Sequence, residues 1–296
     1  MNQKIKTKVS RYIDYIVFTS PAFIFVVCVS LIPYILNIYY SFYDWNGISK
    51  SMKFAGFDNF KYIFTMDDGF SNAVLFNIKF TVFYVIFVNI LSLLIALCLA
   101  RTGLISSIAR SCYYVSFIVS LIVVSFIWRF LFGPGFDVLY KLTGLSFFKW
   151  SWLGTTKLAF WSILLVTIWQ NVGFYMVIYI AGIMGIPTEL IDAAKIDGSY
   201  GINRFFRIIL PLIMPSVTIC FFTSMTFAFK LFDIVLVFTK GGPGRATNTV
   251  VYNIYIEAFT NYQYGIATAK SLIFLLVILA ITAVQLKSFK SREIEA

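Results

Sequence analysis

Asp192-Ala193-Ala194-Lys195-Ile196-Asp197-Gly198, followed after nine residues by Ile208-Ile209-Leu210-Pro211, is the most informative stretch of this chain. It is a polar segment between two long apolar runs, and the charged residues in and around it are Glu189, Asp192, Lys195, Asp197, Arg204 and Arg207. So many charges between apolar runs must lie in water, because burying them in hydrocarbon is costly. We therefore expect a short, structured aqueous loop that docks onto another molecule.

The composition of the chain is that of an integral membrane protein. Of its 296 residues, 60% are hydrophobic and 12% are charged, whereas about a quarter of the residues of a soluble domain are charged. The net charge of +11 does not indicate nucleic-acid binding, because the basic residues are scattered among the apolar runs. Histidine is absent, and the four cysteines lack C-x-x-C or paired spacing, which argues against a zinc site or a disulfide framework.

Six apolar runs are long enough to cross about 30 Å of hydrocarbon. They cover residues 16–40, 77–99, 112–133, 158–183, 208–231 and 265–286. Because a spanning segment must satisfy its own backbone hydrogen bonds, each run is predicted to be a helix. The predicted fold class is therefore an all-α integral membrane protein with six transmembrane helices in a single domain, 1–296. Pro33, Pro211 and Pro215 are expected to bend or open their helices locally.

The basic residues predict the orientation of the chain. Lys4, Lys6, Lys8 and Arg11 precede the first apolar run without a small-residue cleavage site, so this run is interpreted as an uncleaved span. An even number of spans places both termini on one side of the membrane. Basic residues are denser on that side than in the longer opposite loops, which favours cytoplasmic termini. The loop that contains Asp192 is then cytoplasmic as well.

The loop 184–207 has the pattern of a helix, a turn and a second helix. Thr188 or a neighbour is expected to cap a short helix that has Glu189 in its first turn. One face of this helix carries residues at helical spacing, with small ones at its centre that permit close approach of a partner: Leu190, Ala193, Ala194 and Asp197. Gly198 is expected to stop the helix and allow a sharp turn. A second, amphipathic segment covers 202–209 and leads into Pro211.

The spacing within this loop is specific. Asp192-Ala193-Ala194, three residues, Gly198, nine residues and Ile208-x-Leu210-Pro211 resemble the E-A-A…G…I-x-L-P pattern of the coupling loop in permease subunits of binding-protein-dependent ABC importers. The one departure is Asp192, where that family usually has glutamate. Aspartate keeps the charge and is one methylene shorter than glutamate. The departure therefore affects the strength of the contact with the partner and not the assignment of the motif.

Further segments are similar to the maltose-type branch of the same family. They are Gly56-Phe57-Asp58-Asn59-Phe60 after the first span, Trp169-Gln170-Asn171-Val172-Gly173-Phe174-Tyr175-Met176 in the fourth, and Thr239-Lys240-Gly241-Gly242-Pro243 after the fifth, with Thr247 and Tyr255 behind it. The resemblance covers nearly the whole chain. The T-x-G-G-P segment suggests the MalF-like member of a heterodimer whose other member is MalG-like.

The resemblance implies a permease subunit of an ATP-driven importer in a bacterial cytoplasmic membrane. The implied partners are a second permease subunit, ATP-binding subunits, and an extracytoplasmic solute-binding protein that delivers a sugar to the loops 41–76, 134–157 and 232–264. The chain has no G-x-x-x-x-G-K-[ST] motif, so ATP and Mg²⁺ are expected on the partner ATPase and no cofactor on this chain, which is not an enzyme.

The same resemblance implies a role for each residue of the coupling loop. Asp192 would make the charged contact with the ATPase, Gly198 the turn, and Ala193 and Ala194 the close packing. The motif positions completing the predicted coupling site are Asp197, Leu210 and Pro211.

Polar residues inside apolar runs are candidates for the substrate pathway, because burying them in lipid is costly. Gln170, Asn171 and Tyr175 in the fourth span are predicted to line it, with interhelical hydrogen bonding as the alternative. Lys230 and Asp233, near the outer end of the fifth span, are close enough in sequence to pair. For Lys230, Asp233 and Lys270, which lies in the sixth span, a structural ion pair or snorkelling is an equal alternative.

The sequence fits two other classes of membrane protein poorly. A secondary transporter driven by an ion gradient needs no coupling loop and often shows inverted repeats or intramembrane carboxylates. Here no repeat is visible, and Asp233 is the one plausible carboxylate near the mid-chain spans. A membrane-embedded enzyme would need a histidine, a thiol dyad or paired carboxylates, and the sequence offers none of these.

Overall fold

The computed structural model describes residues 15–290, and this part of the chain is almost entirely helical. The elements in chain order are α1 (Tyr15–Tyr40), β1 (Tyr43–Asp44), β2 (Lys53–Phe54), α2 (Asp58–Thr65), α3 (Asp68–Leu99), α4 (Leu104–Ile118), α5 (Leu121–Thr143), a 3₁₀ turn (Ser146–Lys149), α6 (Thr156–Met184), α7 (Thr188–Ile196), α8 (Gly201–Leu212), α9 (Met214–Phe229), a π-helical turn (Val235–Thr239), α10 (Val250–Phe259) and α11 (Tyr264–Lys290). The two strands form one antiparallel pair, with Tyr43 opposite Phe54. The basic residues Lys4, Lys6, Lys8 and Arg11, which carry the orientation prediction, lie outside the described residues.

Within residues 15–290, five helices are long and apolar enough to cross a membrane, namely α1, α3, α5, α6 and α11, and the bent pair α8–α9 provides a sixth crossing when counted as one span. The predicted fold class is therefore confirmed. Helices α1, α6 and α11 enclose the runs 16–40, 158–183 and 265–286. Helix α3 begins at Asp68, nine residues before the run 77–99, because its first turns continue the helix beyond the apolar stretch.

The run 112–133, predicted to be one span, is not a single helix. Helix α4 ends at Ile118 and α5 begins at Leu121, and the two residues between them are extended, with ψ of 133° at Val119 and 135° at Ser120. The crossing segment is α5, which runs on to Thr143 through a π-helical stretch at Leu131–Gly135. The crossing helix therefore begins nine residues later, and ends ten residues later, than the predicted run 112–133.

The run 208–231 is bent, as the prolines predict. Helices α8 and α9 meet at Ile213 with an angle of 74° between them. Pro211 and Pro215 lack the amide hydrogens that a continuous helix would use, so the backbone is free to turn between them. The straight part of the span begins only at Met214, and residues 208–212 belong to the differently directed α8.

Contacts divide the described residues into two units. One unit contains the residues up to Asp67 together with Ile254–Leu275, and the other contains Asp68–Asn253 together with the residues from Leu276 onward. The single domain expected from the sequence stays a prediction.

Helix α6 is the most buried span of the second unit, and the coupling loop follows it directly. Its neighbours include α3, α4 and α9. Gly173 allows α4 to approach closely, since a Cβ at that position would lie 2.1 Å from the carbonyl oxygen of Tyr113. On the other side, Phe160 meets Phe76 and Phe80 of α3 edge to face. A rigid, close-packed helix therefore leads into the loop.

Candidate functional site

Helix α7 is the first half of the coupling loop, and it begins directly after Pro187. Pro187 is extended (φ −55°, ψ 133°), and no side chain caps the helix, so the expected cap at Thr188 is not formed. Glu189 lies in the first turn and Lys195 in the last turn, as the sequence predicts. Both charges are favourably placed with respect to the helix dipole.

Gly198 ends α7 in a left-handed turn. Its φ is +74°, and two hydrogen bonds close the helix: the Gly198 amide donates to the Lys195 carbonyl at 3.1 Å, and the Ser199 amide donates to the Ala194 carbonyl at 2.9 Å. This pair of bonds is the Schellman motif, which requires a left-handed residue at the glycine position. A Cβ on Gly198 would have nothing within 4 Å. The constraint on this glycine within the chain is therefore conformational and not steric.

The two alanines of the motif face different surroundings. Ala194 is 4% exposed, whereas Ala193 is exposed. Ala194 thus packs inside the loop, and Ala193 is a small residue on its exposed surface. Near it, Leu190 is 45% and Ile196 is 87% exposed, so the surface of α7 includes apolar side chains. Asp197 is exposed at the helix end.

Asp192 remains accessible on this surface. Its carboxylate lies 2.7 Å from the Lys195 ammonium nitrogen, but the Asp192 side chain is 64% exposed. An exposed pair of this kind contributes only about 0–1 kcal/mol to stability. The carboxylate can therefore exchange this lysine for a charged partner at little cost.

Leu210 and Pro211 occupy a different part of the loop. They end α8 immediately before the bend, and both are half-buried. Leu210 lines an apolar cavity of about 790 Å³ together with Leu94 and Leu97 of α3. These two motif residues are therefore part of the packed end of α8, whereas Asp192 and Ala193 are exposed on α7.

The predicted pathway residues of α6 are buried and bonded within the chain. The Gln170 side-chain amide donates to the Val119 carbonyl oxygen at 2.8 Å, and the Asn171 amide donates to the Thr167 carbonyl oxygen at 2.8 Å. Tyr175 is 2% exposed. Gln170 thus satisfies a backbone group freed by the break between α4 and α5. For this residue the structure shows the interhelical bond that was the alternative interpretation, and a lining role stays a prediction.

The predicted Lys230–Asp233 pair is not formed: among the described residues, no ion pair joins them. Helix α9 ends at Phe229, so these two residues do not share a helical face. Lys270, by contrast, is fully buried in the first unit, with its ammonium nitrogen 2.6 Å from an Asp67 carboxylate oxygen and 2.5 Å from one of Glu257. It is therefore the structural ion pair that the alternative interpretation described.

Sequence reasoning missed a polar cluster between α3, α6 and α9. The Tyr179 hydroxyl donates to Asn89 Oδ1 at 2.7 Å, and Asn89 Nδ2 donates to Ser224 Oγ at 3.0 Å. It also missed Asn77, which donates to the Phe229 carbonyl at 3.1 Å and accepts from the Val250 amide at 2.9 Å. Asparagines inside the run 77–99 are the signal that could have found both, because polar side chains in a span need partners.

The two outer motifs are held by local hydrogen bonds. In the first unit, Asn59 Nδ2 donates to the carbonyl oxygens of Ser41 (2.9 Å) and Tyr43 (3.0 Å). In the second unit, the Thr247 hydroxyl donates to the Gly242 carbonyl oxygen at 2.6 Å and contacts the Thr239 hydroxyl at 2.8 Å. The G-x-x-N-F and T-x-G-G-P patterns are thus loop-forming motifs in this chain.

Comparison with known families agrees with the loop geometry. The model of the family described as binding-protein-dependent transport system inner membrane component matches residues 88–288, which is more than half of the chain. The chain belongs to this family. The resemblance inferred from the D-A-A…G…I-x-L-P spacing is therefore confirmed. The chain is a transport component of an ABC importer and not an enzyme; ATP is hydrolysed by separate subunits.

Sequence similarity to relatives covers almost the full length of this permease. It is 37% identical over 282 residues to the probable starch degradation products transport system permease protein AmyD of Thermoanaerobacterium thermosulfurigenes, covering 95% of each chain. It is 29% identical to the multiple sugar-binding transport system permease protein MsmF of Streptococcus mutans, covering 88% of this chain and 90% of MsmF. It is 28% identical to the sn-glycerol-3-phosphate transport system permease protein UgpA of Escherichia coli, covering 96% of each.

Solved structures share the fold of the permease. A chain of a bacterial ABC transporter involved in the import of the acidic polysaccharide alginate matches with a TM-score of 0.82 at 17% identity, covering 98% of this chain and 99% of that one. A chain of the alginate transporter in complex with its alginate-bound periplasmic protein matches with a TM-score of 0.80 at 19% identity, covering 96% of each.

Proposed function

We propose that this permease forms half of a translocation pathway for a carbohydrate, a sugar or an oligosaccharide, delivered by an extracytoplasmic solute-binding protein. The names of AmyD and MsmF support a carbohydrate substrate. The second half of the pathway would come from a MalG-like permease subunit. The membrane would be the bacterial cytoplasmic membrane, with both termini and the loop 184–207 on the cytoplasmic side.

The observation that carries the proposal is the surface of α7. A short helix is fixed at its C-terminal end by the Gly198 turn, and it presents a small side chain, Ala193, beside an available carboxylate, Asp192. This surface is suited to close contact with an ATPase subunit. Closure of two ATPase subunits would move α7, and the rigid α6 would transmit that movement to the membrane part. ATP and Mg²⁺ would be bound by the ATPase and not by this chain.

The pathway itself would lie along α6 and the outer end of α9. Asn171 and Tyr175 are proposed to act from α6, and Lys230 and Asp233 from the segment after α9. Gln170 remains in this set, although its side-chain amide is engaged by the Val119 carbonyl. The outer loops 41–76, 134–157 and 232–264 are proposed to receive the binding protein.

Reconstitution of the complete transporter in proteoliposomes tests this function. We expect uptake of a labelled oligosaccharide that requires both ATP inside the vesicles and the loaded binding protein outside. Dissipating proton and sodium gradients with ionophores should leave uptake unchanged. Uptake that requires an ion gradient and does not require ATP would contradict the proposal. It would favour the alternative, a secondary transporter in which Asp233 is the coupling carboxylate.

A further inference from the structure

A groove in the second unit runs along the facing surfaces of α3 and α6. On α3, the residues that line it follow one another at intervals of four: Lys79, Phe83, Phe87, Leu91 and Ile95. Residues spaced in this way form a ridge that winds slowly around the helix, because each step of four residues goes about 40° beyond a full turn. On α6 the facing residues include Lys157, Trp161, Leu165 and Ile168. Each of the two facing surfaces therefore begins with a lysine and continues with apolar side chains.

We call the end of the groove near the N-termini of α3 and α6 its upper end. This end is a basic cavity of about 580 Å³. It contains three cationic side chains, from Lys79, Lys157 and Arg245, and one carboxylate, from Asp68. All three cations are exposed on this chain, and the Lys79 ammonium lies 4.8 Å from the centre of the Phe160 ring. With a surplus of two positive charges, the cavity favours an anionic group.

The lower part of the groove is a second cavity of about 580 Å³, and the residues lining it are apolar or aromatic. Trp161 lines both cavities, so the two adjoin at this residue. Phe83 meets Trp161 edge to face, with ring centroids 5.5 Å apart. Several lining side chains are exposed on this chain, among them Trp161 (44%) and Leu165 (45%). Because α3 and α6 are membrane spans, these apolar side chains face lipid or a neighbouring helix and not water.

The position of the lysines matches a membrane interface. No charged residue follows Lys79 until after Leu99, and these 20 residues of helix extend about 30 Å, the thickness of the hydrocarbon core. Likewise, α6 has no charged residue after Lys157. Both ammonium groups therefore lie at the level of lipid headgroups, and the apolar groove lies at the level of acyl chains.

We propose that this groove binds one anionic phospholipid, with its phosphate-bearing headgroup among Lys79, Lys157 and Arg245 and its acyl chains along α3 and α6. Charge complementarity selects an anionic headgroup. The apolar continuation distinguishes a lipid from a water-soluble anion, which would use the upper cavity alone. The bound lipid belongs to the leaflet at the N-terminal ends of α3 and α6.

Native mass spectrometry of the purified full-length chain tests the site, with phosphatidylglycerol and phosphatidylethanolamine titrated separately. We expect retention of one phosphatidylglycerol at concentrations where phosphatidylethanolamine is lost. Each of Lys79→Gln, Lys157→Gln and Arg245→Gln should weaken phosphatidylglycerol binding about fivefold, since a basic residue near an anionic lipid contributes roughly 1 kcal/mol. Lys141→Gln, an exposed lysine of α5 outside the cavity, is the matched control and should have no effect.

Further variants distinguish a bound phospholipid from the other possible occupants of the groove, a soluble anion or the second permease subunit. Leu91→Trp should fill the groove and reduce the binding of both lipids. If a variant fails to fold, Lys79→Arg and Lys157→Arg keep the charge and should retain the lipid. Equal binding of the two lipids, or no effect of the glutamine variants, would overturn the proposal. So would complete competition by glycerol 3-phosphate together with normal binding to Leu91→Trp, which indicates a soluble anion. Loss of the lipid when the second permease subunit assembles would show that the groove is a subunit interface, and this too would overturn it.

Discussion

Replacing Gly198 isolates the contribution of one backbone turn to energy coupling. In the left-handed region, an L-residue with a Cβ costs roughly 1–2 kcal/mol, and there is no added steric clash here because the space around the Cβ position is open. Helix α7 has only nine residues, too few to be stable on its own, so it depends on the two hydrogen bonds of this turn. Gly198→Ala should therefore reduce the population of the ordered loop about 5–30-fold.

The assay is ATP hydrolysis by the reconstituted transporter, stimulated by the loaded binding protein, together with the affinity of the full-length chain for its ATPase. We expect Gly198→Ala to lower both, Gly198→Val to lower them further, and Gly198→Asn to retain the most activity, since asparagine tolerates this conformation.

Gly144 is the matched control. It ends α5 with φ +70°, and a Cβ there would also have nothing within 4 Å. Gly144→Ala should cost similar stability and leave the affinity for the ATPase unchanged. Full coupling in Gly198→Ala, or an equal loss of ATPase affinity in Gly144→Ala, would refute the reasoning.

Three further predictions concern named side chains. Ala193→Leu should weaken ATPase binding without lowering the melting temperature, whereas Ala194→Leu should destabilise the loop by about 1–3 kcal/mol through overpacking; the reverse order in a thermal-shift and pull-down comparison would contradict the assignment of their faces. Gln170→Leu should destabilise the permease by about 1–3 kcal/mol, because it leaves a buried carbonyl unsatisfied, and should raise the KM for sugar uptake if the proposed pathway includes this residue; lower stability with an unchanged KM would remove Gln170 from the proposed pathway. Lys270→Met should cost about 3–5 kcal/mol in thermal unfolding by leaving two carboxylates uncompensated, and Lys270→Arg should cost less.

The parts of the structure that follow from local sequence were predictable. Glycine at a helix end and prolines in a span act on their own backbone, so the turn at Gly198 and the bend between Pro211 and Pro215 could be predicted from neighbouring residues. The same holds for most helices, because long uncharged apolar runs leave few alternatives in a membrane.

The parts that depend on distant residues were not predictable. The break at Val119 has no glycine or proline beside it, and its carbonyl is satisfied by Gln170, 51 residues away. Lys270 pairs with Asp67 and Glu257, and no local sequence pattern indicates that these three residues come together in the fold. The closeness of Lys230 and Asp233 in sequence suggested a pair, but α9 ends one residue before Lys230 and no ion pair between the two is present in the described part of the chain.

Site-directed cross-linking tests the docking of the coupling loop most directly. In a chain whose four native cysteines have been replaced, a single cysteine at position 193 should cross-link to the ATPase subunit in the assembled transporter, and the yield should change when ATP is bound. A cysteine at position 194 should react weakly, since that side chain is buried, and a cysteine at position 144 should give no ATPase cross-link. No cross-link from position 193, in a transporter that still hydrolyses ATP and imports its substrate, would contradict the account.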